Sequence, residues 1–178
     1  MATSVLLIAL APAPLTPDAA GTLFAIDQND SFEQVFATKT PLGAGRWTQI
    51  FIHQSRTRGG NAVTLGQPDG MGDHFLIGNG IECGDGEIQI GRRWSAQQAA
   101  KPVGAQVGDG CISICLVGDL DQTPPTDAQL LRLEQLVQAL QRRLGVRGKA
   151  VVVMSQTGTA AGIGAKFPLD HLSRAVLP

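Results

Sequence analysis

The chain has no tyrosine, and its aromatic content is only 4%, supplied by Phe and Trp. Histidine is nearly as scarce: His53, His74 and His171 are the full set, and none falls between residues 75 and 170. A histidine-built centre therefore has few positions from which to draw. Cysteine is present three times, an odd number, with no CxxC pair, and leaves the redox compartment open. Cys111 and Cys115 fall on one predicted strand, where residues i and i+4 stand about 13 Å apart. A disulfide needs Cα atoms within about 7 Å, so these two cannot bridge while that strand is intact. The expected role of the cysteines is that of small buried hydrophobes. Charge of one sign is not in excess either: the net charge is −1 and the pI near 6.3. The basic footprint of a nucleic-acid binder is absent.

Long hydrophobic runs are also missing. The most apolar stretch, residues 4–15 (SVLLIALAPAPL), is far shorter than the roughly 20 residues a spanning helix requires. No Lys or Arg precedes it, whereas a secretory leader usually opens with positive charge. Export signal, membrane-proximal anchor and buried strand stay open for this segment, and membrane association is undetermined.

What is present suits one domain with a single core: 178 residues, 43% hydrophobic, mean hydropathy +0.08. Residues 1–45 are poorly patterned, with short apolar pieces such as Leu23 to Ile26, and read as an N-terminal extension. The main domain is expected over 46–178. Gln49 to His53 is a short apolar run closing on a polar residue, which predicts a buried strand with His53 at the sheet edge. Arg56 to Gly72 is glycine-rich and aperiodic, hence a loop. His74 to Ile77 predicts a second strand and Glu87 to Ile90 a third, with the turn dipeptide Asp85-Gly86 between them. Ile112 to Val117 predicts a central strand. Ala150 to Met154, apolar throughout, predicts a strand buried on both faces.

The clearest helix lies between these last two. Thr126-Asp127-Ala128-Gln129 matches a capping box, in which the Thr hydroxyl and the Gln side chain satisfy each other's backbone amides. Leu130, Leu133, Val137, Leu140 and Leu144 follow as one apolar stripe, and Gly145 stands where a terminating glycine belongs. A short final helix is expected over Leu169 to Val176. The fold class is therefore α/β, with a central mixed sheet of at least five strands flanked by helices.

Several segments, taken together, resemble a known family. They are Ile50-Phe51-Ile52-His53, His74-Phe75-Leu76-Ile77-Gly78, Gly91-Arg92-Arg93-Trp94, residues 112–119 (ISICLVGD), residues 123–130 (TPPTDAQL) and Phe167-Pro168. They occur in the order found in the N-acetylmuramoyl-L-alanine amidases and peptidoglycan recognition proteins, and cover residues 46–170. The resemblance implies a reaction: cleavage of the amide between N-acetylmuramic acid and the L-alanine of its stem peptide. Active members hold a zinc ion through two His and one Cys or Asp, leaving a position open for water.

The same resemblance shows what is missing. His53 matches the first ligand. Counting back from Phe167-Pro168, the second histidine falls on Met154 and the thiolate on Gly162. A thioether is a poor zinc ligand, and glycine has no side chain. The residue before the strand histidine faces the site in the family and is commonly Tyr; here it is Asp73. Asp73 can serve as a replacement ligand beside His53, yet two ligands remain one short of a catalytic site. His53, Asp73, Met154 and Gly162 are thus expected to be vestigial site positions, with no catalytic residue, no metal ligand set and no cofactor. Arg92 and Trp94 are candidate ligand-binding residues that can equally pack the sheet edge, and Lys166 is expected at the surface. The helix that often walls the family's groove has no counterpart in the loop 54–72.

Three classes of function compete: a zinc-free binder of peptidoglycan fragments, a structural subunit of an assembly, and an active amidase. The expected partner is a peptidoglycan fragment or a protein, and not a nucleic acid. The expected location is the cell envelope or extracytoplasmic space.

Overall fold

The computed structural model describes residues 22–26, 32–66, 70–101, 108–153 and 163–178. Among them six strands build one mixed sheet: β1 (Thr22–Ile26), β2 (Gln49–Gln54), β3 (Phe75–Asn79), β4 (Asp85–Gly91), β5 (Cys111–Leu116) and β6 (Val151–Val153). Their spatial order is β1-β4-β3-β5-β2-β6. β4 pairs antiparallel with β1 and β3, while β3, β5, β2 and β6 run parallel to one another. The expected mixed α/β sheet is present, enlarged by β1, which draws the Leu23–Ile26 piece onto the edge beside β4.

Strand alternation divides the sheet into two unlike faces. Ile50 and Ile52 of β2, Ile112, Ile114 and Leu116 of β5, Phe75 and Ile77 of β3, and Ile88 and Ile90 of β4 share one closed apolar cluster. Helix α2 (Asp127–Leu144) closes that cluster with Leu133, Leu136, Val137 and Leu140, all essentially inaccessible. Burying each such Ile or Leu is worth about 1.5–3 kcal/mol relative to exposure. Leu130 and Leu144, at the ends of the expected stripe, are only partly buried, and Leu136 completes it.

The capping box forms as expected. Thr126 Oγ1 accepts from the Gln129 amide at 3.0 Å, and Gln129 Oε1 accepts from the Thr126 amide at 3.2 Å. Gln129 does more than cap. Its Nε2 donates to the carbonyls of Ile77 at 3.1 Å and Val117 at 2.8 Å, which ties the start of α2 to the ends of β3 and β5. Gly145 ends the helix at φ 72°, a left-handed conformation that costs other residues energy.

Two short elements complete the fold. Helix α1 (Arg92–Ser95) follows β4 directly, and α3 (Leu169–Ala175) follows Pro168. One expectation is corrected here. β6 is a half-buried edge strand with all three valines partly exposed, not a strand covered on both sides. Its apolar run is explained by partial packing of Val151 and Val153 on the main core and of Val152 on Phe51. The turn between β3 and β4 also lies earlier than expected, with Asp85-Gly86 opening β4.

Candidate functional site

The second face of the sheet carries the polar groups. On β2 the residues alternating with the core isoleucines are Phe51 and His53; on β5 they are Cys111, Ser113 and Cys115. Parallel pairing sets His53 directly beside Cys115 and Phe51 beside Ser113. Asp73 arrives just before β3. Its segment can approach closely because Gly91 lacks a side chain: a Cβ there would lie 2.6 Å from the Asp73 carbonyl oxygen.

His53 is buried, at 3% exposure, and stacks on Phe51 with ring centroids 5.7 Å apart. Its Nε2 lies 2.8 Å from Asp73 Oδ1, and its Nδ1 lies 3.1 Å from the Gln54 carbonyl oxygen. The Gln54 carbonyl can only accept, so Nδ1 donates to it, and protonation of the ring lets Nε2 donate to the Asp73 carboxylate as well. Electrostatics agree. Burial alone would lower the His53 pKa, but the charge and hydrogen bond of Asp73, with help from the Gln54 carbonyl, hold it above the ordinary 6.5. Asp73 mirrors this: burial would raise it, yet His53 and the Ser113 hydroxyl keep it below its usual value. The Ser113 hydroxyl donates to the same Asp73 oxygen that His53 reaches.

Cys115 is the remaining member. Ligand atoms of His53, Asp73 and Cys115 all lie within 4.8 Å of one another. Burial, and then the Asp73 charge, push the Cys115 thiol well above the ordinary 9.0, so it stays protonated at neutral pH. Both nitrogens of His53 are engaged by Gln54 and Asp73, and among the described residues no hydrogen bond joins His53 to the Cys115 thiol.

His74, adjacent in sequence to Asp73, points to the other face, as strand alternation requires. It is sealed between Trp47 and Trp94, with centroids at 4.9 and 5.8 Å. Its Nδ1 accepts from the Ser113 amide at 3.0 Å, so Nε2 donates to the Gln98 carbonyl at 2.8 Å and the ring is neutral. Burial drives its pKa down to about 4.

Met154 and Gly162 lie outside the described residues. Arg92 is exposed at the start of α1. Trp94 is fully buried: its indole donates to the Val35 carbonyl and its ring packs on Phe75 at 4.9 Å. Of its two expected roles, packing is the one its burial allows, because an indole with no exposed face offers no platform to a glycan. Lys166 is exposed. Among the described residues between β2 and β3 there is no helix. Sequence reading passed over Ser113 and Cys115, although Cys111, Ser113 and Cys115 alternate with Ile112, Ile114 and Leu116. That period-two pattern marks a face lined with small polar or sulfur-bearing groups.

Residues 43–165 match the family profile described as N-acetylmuramoyl-L-alanine amidase. The chain belongs to this amidase family. Solved structures agree on the fold. The N-acetylmuramoyl-L-alanine amidase LysC from Clostridium intestinale URNW is 19% identical, with a TM-score of 0.56 over 77% of this chain and 90% of that one. PGRP-SA from the bumblebee is 20% identical, with a TM-score of 0.52 over 74% of this chain and 88% of that one. The amidase AmiD from E. coli, in complex with anhydro-N-acetylmuramic acid-L-Ala-D-gamma-Glu-L-Lys, is 16% identical, with a TM-score of 0.50 over 76% and 60%. No protein of curated function matches the sequence significantly.

His53, Asp73 and Cys115 offer one nitrogen, one carboxylate oxygen and one sulfur within 4.8 Å of one another. Without a metal the His53 ring bonds the Asp73 carboxylate and the Cys115 thiol keeps its proton, and a metal would have to displace both to bind there. His53 and Cys115 are almost fully buried, and Asp73 is partly exposed. What the arrangement does chemically is hold a buried histidine against a carboxylate across β2, β5 and the start of β3.

Proposed function

We propose that this member of the amidase family has lost zinc-dependent catalysis and serves as a binding or interaction module for peptidoglycan fragments. The observation that carries the reading is the state of His53. The side chain matching the first zinc ligand spends both nitrogens on Gln54 and Asp73. While Asp73 occupies Nε2, a metal or a water proton reaches that nitrogen only by displacing the carboxylate. Met154 and Gly162, the positions matching the other two ligands, supply a thioether and no side chain. The His53–Asp73 pair replaces a metal's positive charge with that of the ring and keeps the strand ends in place, so the fold survives without the ion. The AmiD relative was captured with a muramoyl tripeptide, which supports a peptidoglycan fragment as ligand. On this reading the protein works at the cell envelope or outside the cytoplasm. No helix among the described residues is long and apolar enough to cross a membrane.

A second reading, an active amidase, draws on the convergence of His53, Asp73 and Cys115 within 4.8 Å. It requires two of those groups to shed protons and Asp73 to release His53. One experiment separates the readings. Purified full-length protein is analysed for zinc, then titrated with and incubated with muramoyl peptides. The proposal expects substoichiometric zinc, binding, and no release of stem peptide. One zinc per chain, with cleavage abolished by chelator, would establish the amidase instead.

A further inference from the structure

The strands β2, β3 and β5 are parallel, so their carboxyl ends open on the same side, the usual place for a ligand in such sheets. A cleft of about 430 Å³ lies there, separate from His53, Asp73 and Cys115. It is lined by Arg56 and Arg58 beyond β2, Asn79 at the end of β3, Gly118 beyond β5, and the start of α2.

Both arginines are tied to the rim of the cleft through their backbones. Arg56 sits at φ 59°, a left-handed conformation unusual for a side chain of its size, and its amide donates to the Gly118 carbonyl at 2.9 Å. The Arg58 carbonyl accepts from Asn79 Nδ2 at 3.0 Å. Both side chains are exposed. The Arg56 guanidinium lies 3.8 Å from Asp121, a loose contact between partly exposed groups that contributes little. Asp119 is the one carboxylate lining the cleft, against two guanidinium groups, which leaves the lining at +1. Its Oδ1 is already engaged, accepting from the Asp121 amide at 3.2 Å. The floor is sealed by Gln129, whose hydrogen-bonding groups are committed to Thr126, Ile77 and Val117. Ile81 and Leu120 supply apolar wall.

We infer that this cleft binds a peptide through a carboxylate, gripped by Arg56 and Arg58. A guanidinium fork matches a carboxylate in two parallel hydrogen bonds, and its planar geometry reduces the freedom lost per bond formed. The ligand's identity rests on the peptidoglycan reading above, since a stem peptide such as L-Ala-D-γ-Glu-L-Lys carries free carboxylates. The chemistry of the cleft stands apart from it.

The test uses the full-length protein, NMR of its backbone amides, and calorimetric titration with three probes. These are L-Ala-D-γ-Glu-L-Lys, the α-linked peptide L-Ala-L-Glu-L-Lys, and the first peptide with every carboxylate amidated. Expected are shifts at the amides of Arg56, Asn79 and Gly118 with the γ-linked peptide, and loss of binding on amidation. Arg56→Gln with Arg58→Gln should weaken binding about tenfold or more, with unchanged thermal unfolding. Arg56→Lys with Arg58→Lys keeps the charge and loses the fork, and should fall between. Binding at these amides by the α-linked peptide alone supports the cleft and overturns the peptidoglycan reading. Binding of the γ-linked peptide with shifts elsewhere, indifferent to both arginine pairs, overturns the cleft and leaves that reading intact. Binding of neither peptide overturns both.

Discussion

On the helix-covered side of the sheet, His74 is enclosed by Trp47 and Trp94 and is neutral; on the opposite side His53 lies against the Asp73 carboxylate, which favours its charged form. Both rings are almost fully buried. Burial therefore does not decide their charge. The partners do: His74 receives one donor and one acceptor, whereas His53 receives two acceptors, one of them a carboxylate. The comparison teaches that the apolar face tolerates a histidine only as a neutral packing element. The second face holds its histidine against a carboxylate.

The sharpest way to break the comparison is to remove the carboxylate. Asp73→Ala leaves the His53 charge buried and unpaired, and the expected loss is about 3–5 kcal/mol in denaturant unfolding. A loss below about 1 kcal/mol would mean that His53 is not held as an ion in the folded protein.

The next test is the pH dependence of stability, in which the two histidines act with opposite sign. His74 has a folded pKa of about 4 against an ordinary 6.5, so its neutral state stabilises the fold above pH 6.5. As pH falls from 6.5 to 4 the unfolded chain gains a proton the folded chain refuses, and about 3 kcal/mol is lost. His53 is raised above 6.5, so its contribution is complete below pH 6.5 and disappears as pH rises through its folded pKa. Asp73, lowered from 3.8, loses its contribution as pH falls through its folded pKa. Thermal unfolding should therefore be most resistant near pH 6.5. His53→Gln should flatten the alkaline limb and leave the acid limb of His74 in place. A profile with no acid limb between 6.5 and 4 would contradict the neutral, sealed His74.

Smaller effects refine the second face. Ser113→Ala removes one donor to the Asp73 carboxylate and should cost about 1.5–3 kcal/mol, with the His53 ring, read by NMR titration, still charged above pH 6.5. Cys115→Ala removes a buried thiol that makes no bond to His53, and about 1 kcal/mol is expected from the lost packing. If that substitution also abolished a stoichiometric metal, Cys115 would be a ligand and the amidase reading would gain its third donor.

Much of the fold was legible because its causes are local. The capping box at Thr126 and Gln129, the leucine spacing of α2, the stop at Gly145 and the alternation of β4 all express hydrogen bonding or periodicity within a few residues. β6 was misjudged on its covering, because three valines in a row read alike whether a strand is central or at an edge. Trp94 was ambiguous for a similar reason: its partners Val35, Trp47 and Phe75 come from distant parts of the chain. At the site, His53 and Asp73 were singled out from family resemblance. Ser113 and Cys115 were missed because a strand position reveals its face only after its neighbour and register are known.

The sequence by itself determined the family, the mixed α/β sheet and the scarcity of histidine. These follow from composition, residue order and short-range pattern. Tertiary structure alone decided that β5 lies beside β2 in parallel, that this register sets Cys115 next to His53, and that Gly91 admits the Asp73 segment so that its carboxylate reaches the His53 ring. Those outcomes depend on strand partners far apart in the chain. No local propensity specifies such pairing, which is fixed only when the whole sheet closes over its core.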